Sequence, residues 1–280
     1  MLDDEYQCLG ISLAEALPPL TIRSMYLPPV SKPGTHGDCF GFLFLSDGSA
    51  GAFYISLGDA HQRFVSRYPV GNLPQGSVPA LLHGFTSNDA LARALALGAF
   101  NALSQSLLRR TGFKPSDAPV SAEPPDGETI GMVGYFGRLA RRWSERGIRV
   151  KVLELAPRRV APLPGVSLVR DASELRECNR IICTSSVLVN QTLDALLDAI
   201  GDASAVELTG PSGSGLPDIP LSRGIRSVGG TFFADSETLL SELDHCGRWG
   251  ASGQRFELQQ GNYPGFEFLL KSLPDGTESN

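Results

Sequence analysis

The chain has few cysteines and no long apolar run. Five cysteines occur among its 280 residues, and no two of them form a C-x-x-C pair. This excludes a disulfide scaffold or a zinc ribbon as the basis of the fold. No apolar stretch reaches the ~20 residues that a membrane-spanning helix needs. The acidic start, Met1–Cys8, is not typical of a signal peptide. We therefore expect a cytoplasmic protein without a membrane partner.

Concentrated positive charge is also scarce. The formal net charge is −6, whereas nucleic-acid binding needs a basic surface, so we expect no nucleic-acid partner. The densest basic cluster comprises Arg138, Arg141, Arg142, Arg146 and Arg149. Much of it has helical spacing, and we interpret it as the solvated face of a helix.

The remaining composition is typical of a soluble protein with two domains. Hydrophobic residues make up 42% and charged residues 19% of the chain. Residues 1–113 contain strand-like runs, a hairpin signal at Ser46–Ser49 and a long helix for which Ser87 or Asn88 is the expected cap. They predict an α+β domain. Residues 114–128 contain four prolines and are predicted to be a linker.

The second half alternates strands with helices. The predicted strands are Thr129–Val133, Arg149–Leu155, Val166–Val169, Arg180–Thr184, Ala205–Thr209 and Arg226–Val228. This alternation implies right-handed crossovers and a parallel sheet. Residues 129–246 are therefore predicted to form a Rossmann-like α/β domain. Residues 247–280 have no regular pattern and are predicted to be an irregular C-terminal extension.

A glycine-rich turn follows the first of these strands. Gly131 and Gly134 would let the backbone approach a ligand, with Tyr135 at the start of a helix whose amino end favours an anion. Glu154, at the end of the next strand, is about where a dinucleotide-binding domain holds the ribose. Because Met132 replaces the first glycine of the usual motif, two interpretations stay open. The segment is a cofactor loop, or it is a tight turn that binds no dinucleotide.

Polar loops follow three later strands. Their candidate ligand-binding residues are Thr184, Ser185, Ser186, Asn190 and Thr192, then Thr209, Gly210, Pro211 and Ser212, and finally Gly230 and Thr231. In a parallel sheet such loops meet at the carboxyl edge, where ligands bind at a topological switch point. The alternatives are helix capping by Ser185 or Ser186 and a flexible loop after Thr209. Asp235 is interpreted as a helix cap.

Candidate metal ligands are scattered. His36, Asp38 and Cys39 place three donors within four residues, although without a recognised zinc spacing. No nucleophile elbow and no metalloprotease motif occur. These three residues are therefore the only metal candidates that we carry forward.

Several segments together resemble a known family. They are Ala94–Ser104, Gly131–Leu155, Ile182–Leu193, Leu208–Ser212 and Val228–Thr231. Over about residues 8–245 the chain is similar to the putative heavy-metal chelation family. The resemblance implies an enolase-amino-terminal-like small domain before a Rossmann-like domain. It also implies a site in the cleft between them and a chelating role, which is itself an inference for that family.

The resemblance also implies which residues line the site. The matching positions are Gly131, Gly134, Thr184, Ser185, Asn190, Thr192, Gly210, Pro211, Ser212 and Gly230. Two positions depart from the family pattern. Ser185 and Ser186 stand where Gly-Ser or Ser-Thr is usual, and Gln191 stands where glycine is common. Both departures leave the loop polar but can alter its shape.

Three functions are consistent with these observations. The first is a protein that binds a metal ion, a metal complex or an anionic small molecule in the interdomain cleft. The second is an enzyme that uses a nicotinamide or S-adenosylmethionine cofactor, held partly by Glu154. The third is a scaffold that binds a partner protein, which fold alone never excludes. The ligand, the catalysis of any reaction and homo-oligomer formation stay open. We favour the first.

Overall fold

The computed structural model describes residues 1–30, 39–69, 71–115, 124–125, 127–201, 205–247 and 249–274. Before residue 116 its elements are, in chain order, α1 (Leu2–Ala16), β1 (Ile22–Tyr26), β2 (Phe40–Leu45), β3 (Ala50–Tyr54), α2 (Ala60–Arg67), α3 (Val78–Leu82) and α4 (Ala90–Arg110). Asp89, rather than the expected Ser87 or Asn88, caps α4, and its carboxylate accepts a hydrogen bond from the Leu91 N–H at 3.1 Å. No helix of the described residues is both long and apolar enough to cross a bilayer.

After residue 127 the elements alternate as predicted. They are β4 (Thr129–Val133), α5 (Gly137–Glu145), β5 (Arg149–Leu153), β6 (Val166–Val169), β7 (Arg180–Thr184), α6 (Val187–Asn190), α7 (Leu193–Ile200), β8 (Ala205–Thr209), α8 (Asp218–Ser222), β9 (Ser227–Phe232), α9 (Ser236–Cys246), β10 (Gln254–Leu258) and α10 (Phe266–Lys271). The expectation of an irregular extension after residue 247 is wrong for β10 and α10. Both elements are short, five and six residues, and β10 forms by antiparallel pairing with β9, a contact between distant residues that the local pattern does not show.

Strands β2 and β3 of the small sheet are buried on both faces. The order of this sheet is β1-β2-β3, with both pairings antiparallel. One face packs against α4, which approaches so closely that a Cβ added to Gly51 would lie 2.0 Å from the carbonyl oxygen of Gly98. The other face packs through Phe42 and Phe44 against Phe233 and α9. Because neither face meets solvent, β2 and β3 are apolar along most of their length instead of alternating.

The large sheet has the strand order of a doubly wound fold. The order is β10-β9-β8-β7-β4-β5-β6, and every pairing is parallel except that of β10 with β9. The chain enters at β4, winds outwards to β6, then returns to β7 and winds the other way. The topological switch point therefore lies between β4 and β7. The predicted α/β fold, a Rossmann-like sheet preceded by a smaller α+β part, is confirmed.

A polar face of α4 joins the small sheet to the large one. Asn101, Ser104 and Gln105 are all buried and lie three or four residues apart, hence on one side of the helix. The Asn101 Nδ2 donates to the carbonyl oxygen of Ala52 on β3 at 2.8 Å. The same nitrogen donates to the carbonyl oxygen of Ser212, after β8, at 3.1 Å. One side chain thus ties both sheets together.

Two neighbours of Asn101 complete this seam. The Gln105 Nε2 donates to the carbonyl oxygen of Ser214 at 3.0 Å, and its Oε1 accepts from the N–H of Phe233 at 3.3 Å. The hydroxyl of Ser104 accepts from the N–H of Leu216 at 3.1 Å. These contacts satisfy backbone groups that would otherwise be buried without partners. The seam, defined as Asn101, Ser104 and Gln105 with the loops after β8 and β9, fixes how those loops lie.

We expect Gln105→Leu to lower the free energy of unfolding by about 2–6 kcal/mol. The substitution keeps the volume but leaves the Ser214 carbonyl and the Phe233 N–H buried without partners, at about 1–3 kcal/mol each. Chemical denaturation measures the change. Gln62→Leu on the exposed side of α2 is the matched control and should change stability by less than about 0.5 kcal/mol. Equal effects of the two substitutions would contradict the assigned role of Gln105.

Candidate functional site

The loop after β4 lies against the end of β7. Gly134 has φ +78°, in the left-handed region that favours glycine. A Cβ at this position would lie 2.8 Å from Cγ2 of Thr184. The predicted neighbours Gly134 and Thr184 are therefore brought together at the switch point. Gly131, by contrast, lies inside β4, where a Cβ would lie 2.8 Å from Cγ1 of Ile181, so its role is packing.

Glu154 is bound to backbone groups of this loop. One carboxylate oxygen accepts from the N–H of Tyr135 at 2.8 Å, and the other accepts from the N–H of Ala156 at 2.8 Å. The N–H of Phe136 donates to the sulfur of Met132 at 3.4 Å. In a dinucleotide site the glycine-loop amides and the acid at the end of the next strand both face the cofactor. Here the carboxylate holds the loop itself, and its negative charge disfavours a pyrophosphate beside it.

The end of β7 and the loop after it carry hydroxyl groups at the same edge of the sheet. The hydroxyls of Thr184 and Ser186 lie 3.1 Å apart, and both side chains are half-buried. Ser185 is buried, and its N–H donates to the carbonyl oxygen of Thr209 at 2.9 Å. Neither serine makes a side-chain cap on α6, which contrasts with the alternative of helix capping. Thr184 and Ser186 are therefore the hydroxyls of this loop that a ligand could reach.

Asn190 and Thr192 bond to each other at the far end of α6. The Asn190 Oδ1 accepts from the N–H of Thr192 at 3.2 Å and from its hydroxyl at 2.6 Å. Between them, Gln191 has φ +61°, the only positive φ of a non-glycine residue within the described ranges. Both side chains thus have a local explanation, the turn that leads into α7.

The loop after β8 is partly closed by the seam. Ser212 is buried against Asn101, and its hydroxyl has no hydrogen-bond partner among the described residues. Thr209, Gly210 and Pro211 stay half-exposed. The alternative of a flexible loop after Thr209 does not fit Ser212–Gly215, because α4 covers these residues.

Gly230 and Thr231 lie inside β9, not in a loop after a strand as predicted, and they serve packing. Gly230 is buried, and a Cβ there would lie 2.7 Å from the ring of Phe256. Thr231 is also buried, and its N–H donates to the hydroxyl of Ser214 at 2.9 Å. Asp235 caps α9 by accepting from the N–H groups of Glu237 and Thr238, as predicted. In this conformation a ligand therefore has no access to Gly230 or Thr231.

Sequence reasoning missed the role of Asn101, Ser104 and Gln105. The available signal was a polar stripe with spacing three and four inside an otherwise apolar helix. Such a stripe is buried only where it meets polar partners. Nothing local indicates that these partners are backbone groups more than 100 residues away.

Within the described part of the chain, clefts also lie away from the ends of β7 and β8. One, of about 910 Å³, lies between the segment 67–84 and α4 and is lined by Arg67, Tyr68 and Leu95 among others. The second, of about 530 Å³, begins at Tyr135 and runs along α5. The larger one contains none of the predicted site residues. The second shares Tyr135 with the crevice at the switch point.

Comparison with known proteins places this architecture in a family. The model of DUF364, described as "Putative heavy-metal chelation", matches residues 119–258. This chain belongs to the DUF364 family. A DUF364 protein of unknown function from Pyrococcus horikoshii is 19% identical, covers 92% of this chain and 100% of its own, and superimposes with a TM-score of 0.70.

A second DUF364 protein of unknown function, from Desulfitobacterium hafniense DCB-2, is 16% identical. It covers 92% of this chain and 99% of its own, with a TM-score of 0.63. No curated protein matches the chain. At identities this low, similarity to the DUF364 relatives shows the fold of this chain but does not identify its ligand.

The described part of this DUF364 chain does not fit a bare heavy-metal ion. Of the predicted ligands, His36 and Asp38 lie outside the described residues, and Cys39 is half-buried. The residues that are described contain no group of three or more His, Cys, Asp or Glu side chains that could hold a metal. Burial raises the pKa of the Cys183 thiol well above its ordinary value, which disfavours the thiolate that a soft metal needs.

We expect Glu154→Gln to lower the free energy of unfolding by about 1–2 kcal/mol. The amide keeps one acceptor and loses the other, so either the Tyr135 or the Ala156 N–H is left without its partner. Thermal denaturation measures the loss, with the exposed Glu145→Gln on α5 as the control, expected within about 0.5 kcal/mol of the unmodified chain.

NAD or S-adenosylmethionine should not stabilise the unmodified chain. A clear thermal shift with either cofactor would restore the cofactor-loop interpretation.

At position 191 we expect glycine to be more stable than alanine by about 1 kcal/mol. Both Gln191→Gly and Gln191→Ala remove the hydrogen bond from the Gln191 side chain to Asp3. They differ in the cost of the left-handed backbone, about 1–2 kcal/mol for an L residue, partly offset by the greater freedom of glycine in the unfolded chain. Paired denaturation curves measure the difference. An alanine variant as stable as the glycine variant would show that φ is not positive here in solution.

Proposed function

We propose that this chain binds a small, oxygen-rich ligand in the crevice above the carboxyl ends of β4 and β7. An oxyanion or a metal held in an organic complex suits this crevice better than a bare heavy-metal ion. The observation that carries the proposal is the contact between Gly134 and Thr184 at the switch point, with the Ser186 hydroxyl 3.1 Å from that of Thr184. Doubly wound folds hold their ligands at this place.

The donors available support this ligand class. Thr184, Ser186 and Thr209 bring neutral hydroxyls to the same edge of the sheet, whereas the Gly210 N–H already donates to the carbonyl oxygen of Gly229 at 3.1 Å and Pro211 has no N–H. Neutral hydroxyl groups suit an oxyanion or a ligand that brings its own charge. Bare soft metals are held by thiolates and imidazoles, which these loops do not provide.

The seam supports a site that is formed before the ligand arrives. Ser212 and Ser214 are fixed by Asn101 and Gln105, so the loop after β8 loses little freedom when a ligand binds next to it. A ligand held at the switch point would then contact the half-exposed side of this loop, Thr209–Pro211. We propose that the interdomain seam acts as the rigid wall of the site.

The proposal is tested first by what the purified protein retains. Native mass spectrometry compares the intact with the denatured mass after purification without a chelator. Thermal shift then compares three probes: molybdate for an oxyanion, nickel citrate for a metal complex and Zn²⁺ for a bare metal. We expect a retained mass, or a shift with molybdate or nickel citrate, and none with Zn²⁺. A shift with Zn²⁺ alone would contradict the proposal.

We expect Thr184→Val to weaken binding of the responding probe about tenfold, the scale of one lost hydrogen bond of ~1.4 kcal/mol. Valine keeps the γ-methyl that touches Gly134, so the loop should keep its shape. Ser144→Ala, at the carboxyl end of α5 and hence at the opposite edge of the sheet, removes a hydroxyl far from the crevice and should leave affinity unchanged. Titration calorimetry measures both. Equal affinities in the two variants would exclude Thr184 from the site.

A further inference from the structure

The outer face of α5 carries a cluster of guanidinium groups beside a cleft. Arg138, Arg141 and Arg142 are exposed and lie three or four residues apart, so they share one side of the helix. Together with Tyr135, Gly137, Ala161 and one acidic residue, Glu145 at the far end of the helix, they line the cleft of about 530 Å³. This volume falls in the range of small-molecule sites.

The position of these arginines is unfavourable for the helix itself. Arg138 lies in the first turn of α5, where the helix dipole disfavours a cation, and that turn contains no acidic residue. Arg141 and Arg142 follow within one turn, and like charges at this spacing repel each other. Within the described residues, Arg138 and Arg141 form neither an ion pair nor a hydrogen bond, although the chain as a whole has net charge −6. The interpretation as a solvated helix face does not explain why arginines occupy positions that lower the stability of the helix.

We propose that the cleft along α5 binds a small compound with a phosphate or carboxylate group on a flat apolar body. Arg138 and Arg141 would hold the anionic group, since guanidinium forks match both anions with paired hydrogen bonds. The ring of Tyr135 and the aliphatic stems of the arginines form an apolar surface for the body. The site shares only Tyr135 with the crevice at the switch point, so it does not depend on the ligand proposed there.

The test uses phenyl phosphate as the probe and the full chain at low salt. Titration calorimetry compares the unmodified chain with R138Q/R141Q. The matched control is R149Q/R226Q, which removes the same charge at the amino ends of β5 and β9, the opposite edge of the sheet. We expect binding of phenyl phosphate to weaken at least about tenfold in R138Q/R141Q, and to change less than about twofold in the control. Phenol, which has the ring without the anion, should bind too weakly to detect.

Folding of the variants is checked by circular dichroism and by the melting temperature. R138Q/R141Q should melt at or above the temperature of the unmodified chain, because the substitutions remove repulsion at the start of α5. Three results would each overturn the proposal: no binding of phenyl phosphate at millimolar concentration, unchanged affinity in R138Q/R141Q, or an equal loss in R149Q/R226Q. The last result would show that only the net charge matters.

Discussion

The seam between α4 and the loops after β8 and β9 is the contact on which the rest of the structure depends. Asn101 and Gln105 donate to backbone carbonyls on both sheets from positions that exclude water. A buried carbonyl or N–H left without a partner costs about 1–3 kcal/mol, so the two halves of the molecule cannot slide past each other without breaking several such bonds. The packing of Phe42 and Phe44 on α9 buries apolar area at the same junction, but apolar contacts are not directional and do not fix one relative orientation.

This seam decides which of the polar loops remain open to a ligand. Sequence reasoning placed candidate residues near the carboxyl ends of five strands of the large sheet, β4, β5, β7, β8 and β9. The seam covers Ser212–Gly215, and Gly230 and Thr231 pack beneath it. The candidates in these loops that stay accessible are Gly134, Thr184 and Ser186 at the switch point and Thr209–Pro211 beside it. Membership of DUF364 is consistent with a ligand-binding role, and the described residues contain no group of three or more His, Cys, Asp or Glu side chains that could hold a metal.

Glu154 shows how one residue type at one place can serve two purposes. An acid at the end of the second strand of a Rossmann-like fold is expected to bind a ribose, and its position alone supports that interpretation. In this chain the carboxylate bridges the N–H groups of Tyr135 and Ala156 and so holds the glycine-rich turn in place. Whether the carboxylate faces a ligand or the loop depends on the direction of its side chain. That direction depends on the conformation of the neighbouring loop, which the spacing of residues in the sequence does not show.

The sequence by itself determined the alternation of strands and helices, the glycine at the left-handed turn of Gly134 and the cap of α9 at Asp235. Each of these follows from backbone geometry or from groups within a few residues. Only the tertiary structure decided that Asn101 and Gln105 face backbone carbonyls, that Ser212 is covered and that β10 extends the sheet. These outcomes rest on contacts between residues far apart in the chain. Which distant groups meet depends on how whole elements pack, and no local pattern encodes that packing.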